Sequence, residues 1–444
     1  MFASPDETSH LVRAQGFASA DFSSPYDTDG IPIAEVECYR FLADVTADCM
    51  SLEWGSAGTA VDATTVDGYP PALHAVASIP YFVFDGLFAA YAARAWVALV
   101  NTALLSWAVV LMLDRGRWSV AGIAFAITPM VLFTMSTVNP SGLAATGSSL
   151  FVAAATTKTG RGLSLSYFAP VVVGAGFVAG SRRDGVVWIL LIAAVLALAS
   201  GCNWSRSRVR INALWTRRRT TVVVASGVAV AIAIMSLRGV VGFITRQNPG
   251  SGSIWNATRE TPLYLQQIFG VFGWLDATMG QEAFLLAVII IGMVLMLGVQ
   301  VTTPRGRLAI LIGITAIIAT PIVFGAVRYP YFQGRYLFPI WVATVMLAGV
   351  AIESGRQRGM LTGLRLSPLI AMSLIVHVWS FLNNLKRYAT GRSGTWRIFS
   401  DSAWNPPMFS NLVAAILFML SMVCAVGILA RLVPSKTPGA DVQV

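Results

Sequence analysis

The residues best suited to chemistry stand near the start of the chain. There, Ser4-Pro5-Asp6-Glu7-Thr8-Ser9-His10-Leu11-Val12-Arg13 sets adjacent carboxylates ahead of an imidazole and a guanidinium. Proline suits the first turn of a helix, and acids in that turn are favoured by the helix dipole. On such a helix Asp6 shares a face with His10 and Arg13 through spacings of four and seven, while Glu7 points about 100° away, toward Leu11 or a membrane edge. One carboxylate can then act as a general base, with Arg13 orienting it or a bound phosphate. Asp6, the shorter and more rigidly held, is the favoured base, which leaves Glu7 as a helix-start charge. The same residues also make a plain acidic helix start, and residue type alone leaves both readings open.

The elements that must position these groups belong to a membrane. Of the 444 residues 56% are apolar and 12% charged, and the mean hydropathy is +0.68, too little polar surface for a soluble fold. Apolar runs of the length needed to cross a bilayer recur from Leu87 to Leu432, continuous rather than alternating, so the fold class is an all-α polytopic membrane protein and not a barrel. The net charge of +10 bears on topology rather than on nucleic acid, because its basic residues cluster in short connections. Placing 114–118, 158–161, 206–219, 305–307, 356–365 and the tail 434–444 in the cytoplasm predicts eleven spans. They are 88–113, 119–137, 140–157, 163–181, 185–201, 220–237, 283–301, 306–325, 335–353, 363–381 and 411–433. Arg182 and Arg183 break this pattern. An odd count puts the first 87 residues outside with no export signal in view, which reads as a start internal to a longer product whose missing first helix makes twelve; the alternative is a tail that crosses unaided.

The resulting organisation is an outer loop 1–87, transmembrane helices in 88–237, an outer loop 238–282, and transmembrane helices in 283–433 with outer loops 326–334 and 382–410. Cys38 and Cys49 fall in the first outer loop, where oxidising conditions make a disulfide staple the expected reading. Tyr69-Pro70-Pro71 opens an apolar stretch to Phe84 that is too short to span and reads as a re-entrant or interfacial helix. Phosphate-binding loops, HExxH, nucleophile elbows and CxxC are all missing from the sequence. Asp27-Thr28-Asp29 has the form of a divalent-cation motif, but two acids in an acidic loop arise as readily by chance, so no metal is assigned and the cofactor stays unknown. His377, in an apolar span, reads as a packed and hydrogen-bonded helix residue.

Five ordered motifs carry a resemblance. They are Pro5-Asp6-Glu7 with His10 and Arg13; Tyr69-Pro70-Pro71; Thr128-Pro129-Met130 leading to Ser136-Thr137-Val138-Asn139-Pro140-Ser141-Gly142; Gly273-Trp274-Leu275-Asp276; and Gln333-Gly334-Arg335-Tyr336-Leu337-Phe338-Pro339. Together they resemble the predicted membrane proteins of domain-of-unknown-function family 2142, which are similar in layout to the GT-C membrane glycosyltransferases. The resemblance implies a GT-C-like bundle in the plasma (inner) membrane, with an acid in the first extracytoplasmic loop that works on a polyprenyl-phosphate-linked sugar donor and a glycan or lipid acceptor of the cell envelope. Such a donor needs cations for its phosphate. Arg335 and Arg328 lead, then Arg94 and Arg13, with His10, Gln333 and Tyr336 beside them and Trp274 and Asp276 toward the acceptor. A transporter or flippase of lipid-linked sugars and a non-catalytic envelope-assembly protein are the alternatives. The bilayer is a partner in every case and nucleic acid in none.

Overall fold

The computed structural model describes residues 4, 6–20, 38–50, 66, 68–157, 165–200, 254–326, 332–361 and 363–432. The Asp27-Thr28-Asp29 motif, the span 220–237, Arg328 and the tail 434–444 lie outside these residues.

The elements in chain order are α1 (Glu7–Ala18), α2 (Ala72–Ala77), α3 (Gly86–Leu113), α4 (Arg117–Ala126), α5 (Pro129–Met135), α6 (Pro140–Thr156), α7 (Leu165–Ser181) and α8 (Gly185–Ser200). They continue with α9 (Ile254–Gly270), a two-residue hairpin of β1 (Val271–Phe272) and β2 (Ala277–Thr278), then α10 (Gln281–Val301), α11 (Pro304–Ala326), α12 (Phe338–Gln357), α13 (Ser367–Ala389) and α14 (Asn411–Leu432). Each expected span on described residues falls on a helix, but they are not equal crossings. Among the described residues six helices, α3 and α10 to α14, are long and apolar enough to cross, α12 together with the 3-10 turn Gly334–Leu337 that leads into it; the pair α4–α5 makes up to seven. The expected span 119–137 is bent by 75° at its middle, and α7 and α8 are short. The loop expected from 382 begins only at Thr390, because α13 runs on to Ala389.

Sequence explains the bend. Thr128 precedes Pro129 and is held extended at φ −69° and ψ 164°, which ends α4, and the proline opens α5 at its first turn. The carbonyls freed at the break are taken by side chains of other helices: Trp341 Nε1 donates to Ala126 (3.0 Å), and His377 Nε2 lies 2.9 Å from the Ile127 carbonyl. His377 is thus the packed residue its surroundings suggest.

At the centre is α12, packed on α4, α6, α8, α10 and α11. Burial covers 94% of its apolar stretch, against 6% for α14, which rests mainly on α13 and presents apolar side chains outward. Its contact with α4 is backbone to backbone: a Cβ on Gly349 would lie 2.7 Å from the Gly122 Cα, so only glycine permits this crossing. At 1.5 Å per residue α12 is about 30 Å long, one hydrocarbon thickness. Its start adjoins α1, α6 and α9. Its end adjoins the start of α4, where the Glu353 carboxylate accepts from the Trp118 amide at 2.8 Å, and the end of α10, where Arg358 bonds the Val301 carbonyl. The basic connections 114–118, 305–307 and 356–365 therefore gather at one end of the bundle, and α1 lies at the other.

Candidate functional site

The site is built where α1 meets the starts of α6, α8 and α12. Asp6 precedes α1 in a left-handed backbone conformation (φ 62°, ψ 9°), uncommon for a residue with a side chain and a strain that clusters at functional sites. Its carboxylate, 35% exposed, pairs with Arg335 Nη2 at 3.1 Å. Arg335 itself is 4% exposed, and its second amino group, Nη1, is buried with no hydrogen-bond partner. The Gln333-Gly334-Arg335 motif explains how it gets there. The Gly334 amide donates to Gln267 Oε1 at 2.7 Å, and a Cβ at Gly334 would lie 2.1 Å from the Tyr264 carbonyl, so only glycine lets the chain turn against α9 and aim Arg335 at Asp6. Gln333, at the start of this turn, also carries a buried side-chain oxygen without a partner.

Glu7 faces the other way from Asp6, as the helical spacing requires, but not toward a membrane edge. It is fully buried, paired with Arg94 Nε at 3.0 Å, and accepts from the Val138 amide at 3.0 Å. The reading of Glu7 as a surface helix-start charge is corrected: its partner on α3 and the start of α6 enclose it. Arg94 is likewise engaged with Glu7. Arg13 donates to the Val66 carbonyl and lies over the Phe17 ring. His10 is buried, with Nδ1 3.1 Å from His74 Nε2 and its ring edge-on to Tyr69. Burial, against the pull of Asp6, drives the His10 pKa down to about 3, and burial drives that of His74 well below its usual value. The two rings are therefore a neutral hydrogen-bonded pair at neutral pH.

The Asn139-Pro140-Ser141-Gly142 motif has a physical reason at every position. Asn139 caps α6 by accepting from the Ser141 amide and donates to Ser4 Oγ, Pro140 occupies the first turn, and a Cβ at Gly142 would lie 2.4 Å from the Thr134 carbonyl. Ser141 Oγ accepts from Arg182 Nη1 at 3.2 Å. Arg182 is the residue that sequence reasoning missed. It is buried at the turn before α8, paired with Asp184 at 2.9 Å, and lies over the Tyr336 ring, 4.1 Å from its centroid. Arg335 lies by the same ring at 5.8 Å. The signal was its breach of the charge pattern: a cation that a loop's topology does not ask for has another use.

Trp274 and Asp276 lie in a second cluster. Gly273 and Leu275 take positive φ in the tight turn of the hairpin, and Asp276 accepts from the Trp274 amide. Both oxygens of Asp276 are used, because Arg387 grips the second at 2.5 and 2.9 Å. Arg387, 1% exposed, also donates to the Tyr39, Leu42 and Val45 carbonyls. Those carbonyls lie inside the loop closed by the Cys38–Cys49 disulfide. Expected to face an acceptor sugar, Asp276 instead clamps the hairpin, α13 and the stapled loop together. Among the described residues no group of three metal-ligating side chains forms.

Chemically, the first cluster offers a carboxylate about one-third exposed, a buried guanidinium with a donor to spare and a second guanidinium across a tyrosine ring. Arginines outnumber carboxylates around it. That arrangement suits an anionic oxygen beside a group that gives up a proton. Residues 1–344 match the family described as "Predicted membrane protein (DUF2142)". No curated protein matches the chain.

Proposed function

The chain belongs to the DUF2142 family of predicted membrane proteins, and on that premise we propose that this multi-pass protein is a glycosyltransferase that draws a sugar from a polyprenyl-phosphate donor on the extracytoplasmic face. The basic connections gathered at the opposite end support that orientation through the positive-inside bias. The observation that carries the reading is Arg335. A buried guanidinium that gives one amino group to Asp6 and leaves the other without a partner is poised for one more anionic oxygen.

The donor phosphate docks on Arg335, with Arg182 across the Tyr336 ring, and competes with Asp6 for the guanidinium. Asp6 so released accepts the proton of an acceptor hydroxyl as that oxygen attacks the anomeric carbon. The bond from that carbon to the phosphate oxygen breaks, its electron pair leaves with the polyprenyl phosphate, and Arg335 holds the charge. Glu7 and Arg94 fix the position of α1. Transport is the weaker reading, since the broken span it would use has its freed carbonyls occupied by Trp341 and His377.

The full chain in vesicles, supplied with a radiolabelled polyprenyl-phospho-sugar, tests this. Asp6→Asn should keep donor binding and lose transfer to glycan by about 100-fold or more, and Arg335→Lys should weaken donor binding because the planar fork is lost. Full transfer by Asp6→Asn discards the carboxylate mechanism.

A further inference from the structure

At the far end of the bundle from Asp6, a cavity of ≈ 600 Å³ opens between α4, α12, α13 and α14. Its size falls within the range of about 300–1,000 Å³ typical of pockets for small ligands. Apolar side chains make the walls: Val120 and Ala124 from α4, Leu374 from α13, and Val426 from the lightly packed α14. Arginines make the mouth. Arg117 stands at the first turn of α4, Arg356 at the last turn of α12, and Arg365 just before α13.

The charges at this mouth are little spent among the described residues. Arg356 lies 3.9 Å from Glu353, a long contact, and that carboxylate already caps the start of α4 through the Trp118 amide. Among the described residues neither Arg117 nor Arg365 has a carboxylate partner, and both are exposed. All three lie at helix ends, about 30 Å along α12 from Arg335, and thus at the headgroup level of the opposite leaflet. An apolar slot within the hydrocarbon depth, rimmed at headgroup level by cations, is complementary to one kind of molecule: an amphiphile with acyl chains and an anionic head.

We infer that the cavity between α4, α12, α13 and α14 is a binding site for an anionic glycerophospholipid of the cytoplasmic leaflet, its phosphate held at Arg117, Arg356 and Arg365 and an acyl chain lying along Val120, Leu374 and Val426. The lipid completes the packing of α14, whose contacts within the chain are few. This site is separate from the one around Asp6 and does not depend on what that one catalyses.

Native mass spectrometry of the purified full chain with dioleoyl phosphatidylglycerol, dioleoyl phosphatidylcholine or glycerol 1-phosphate tests it. The wild-type chain should prefer phosphatidylglycerol over phosphatidylcholine by about tenfold or more, with each mouth arginine contributing about fivefold. Arg117→Ala with Arg365→Ala should cut that preference at least about fivefold, leaving only what Arg356 supplies. Ala371→Trp fills the slot without changing charge and should lower the occupancy of both lipids, whereas Arg392→Ala, at the other end of the bundle, should change neither. Equal binding of the two lipids by the wild-type chain overturns the inference. So does undiminished phosphatidylglycerol binding in the double variant or in Ala371→Trp. Binding of glycerol 1-phosphate as tight as that of the lipid does so too, since it would make this an anion site with no use for the slot.

Discussion

The two ends of α12 both carry arginines, and they use them in opposite ways. At the start, Arg335 is buried, tied to Asp6, and ringed by groups whose own partners are fixed: Glu7 on Arg94, Arg182 on Asp184, His10 on His74. At the end, Arg117 and Arg365 are exposed and, among the described residues, without carboxylate partners, around an apolar slot. A buried guanidinium has been desolvated before any ligand arrives, so a ligand there exchanges for an existing partner and geometry decides. An exposed one acts through its field, tolerates many geometries and is weakened by salt. The first arrangement suits chemistry at one atom and the second suits a fluid lipid.

The largest effect that sharpens this contrast is expected at Glu7. Replacing it by Gln removes a fully buried charge that holds Arg94 and the Val138 amide, so thermal unfolding in detergent should show a loss of about 3 kcal/mol. A melting point unchanged from wild type would mean that this end is no more committed to its pairings than the other. At the other end, Arg365→Ala should leave the melting point nearly where it was.

Next in size is a pH dependence confined to the Asp6 end. Burial holds His10 down to about 3, and Asp6, Arg335, Arg13 and Arg182 are the charges that face it. Below about pH 6.5 the unfolded chain takes up a proton at this residue that the folded chain refuses. Its share of stability is therefore complete above that pH and declines as the pH drops toward 3, by up to about 1.4 kcal/mol per unit. His10→Gln should roughly halve the slope measured between pH 7 and 5, with His74 supplying the rest, and an unchanged slope would place its origin elsewhere. The smallest effect separates the ends by ionic strength. Going from 0.1 to 1 M salt shortens the screening length from about 10 to 3 Å, so the phosphatidylglycerol preference at the slot should fall several-fold while the melting point stays within a degree or two.

The expectations that depended on local pattern hold where they can be examined: the apolar runs became helices, and the span drawn from Pro140 opens its helix there. The partnership of Asp6 with Arg335 spans 329 positions, and that of Glu7 with Val138 spans 131. No helical period encodes such distances. Spacing correctly turned Asp6 and Glu7 in different directions but was silent on what each would meet, so Glu7 was assigned to a surface that another helix covers. Asp276 was misread for a similar reason: its motif was visible, but Arg387, which consumes it, comes from a helix 111 positions away. The break between α4 and α5 was readable from Thr128-Pro129, and a span drawn by hydropathy ran straight through it.

The glycine crossing of α4 and α12 has a consequence for the membrane itself. With no side chain between Gly122 and Gly349, the central helix cannot tilt or slide against its neighbour without backbone collision. Most spanning helices answer a thinner or thicker bilayer by changing their tilt. Here the protein keeps its own thickness and the surrounding lipid must stretch or compress to meet it, at a cost of fractions of a kcal/mol for each ångström of mismatch. The protein should therefore gather lipids whose chain length matches the apolar band of its outer helices, such as α13 and α14, and should partition toward the regions of a membrane that supply them.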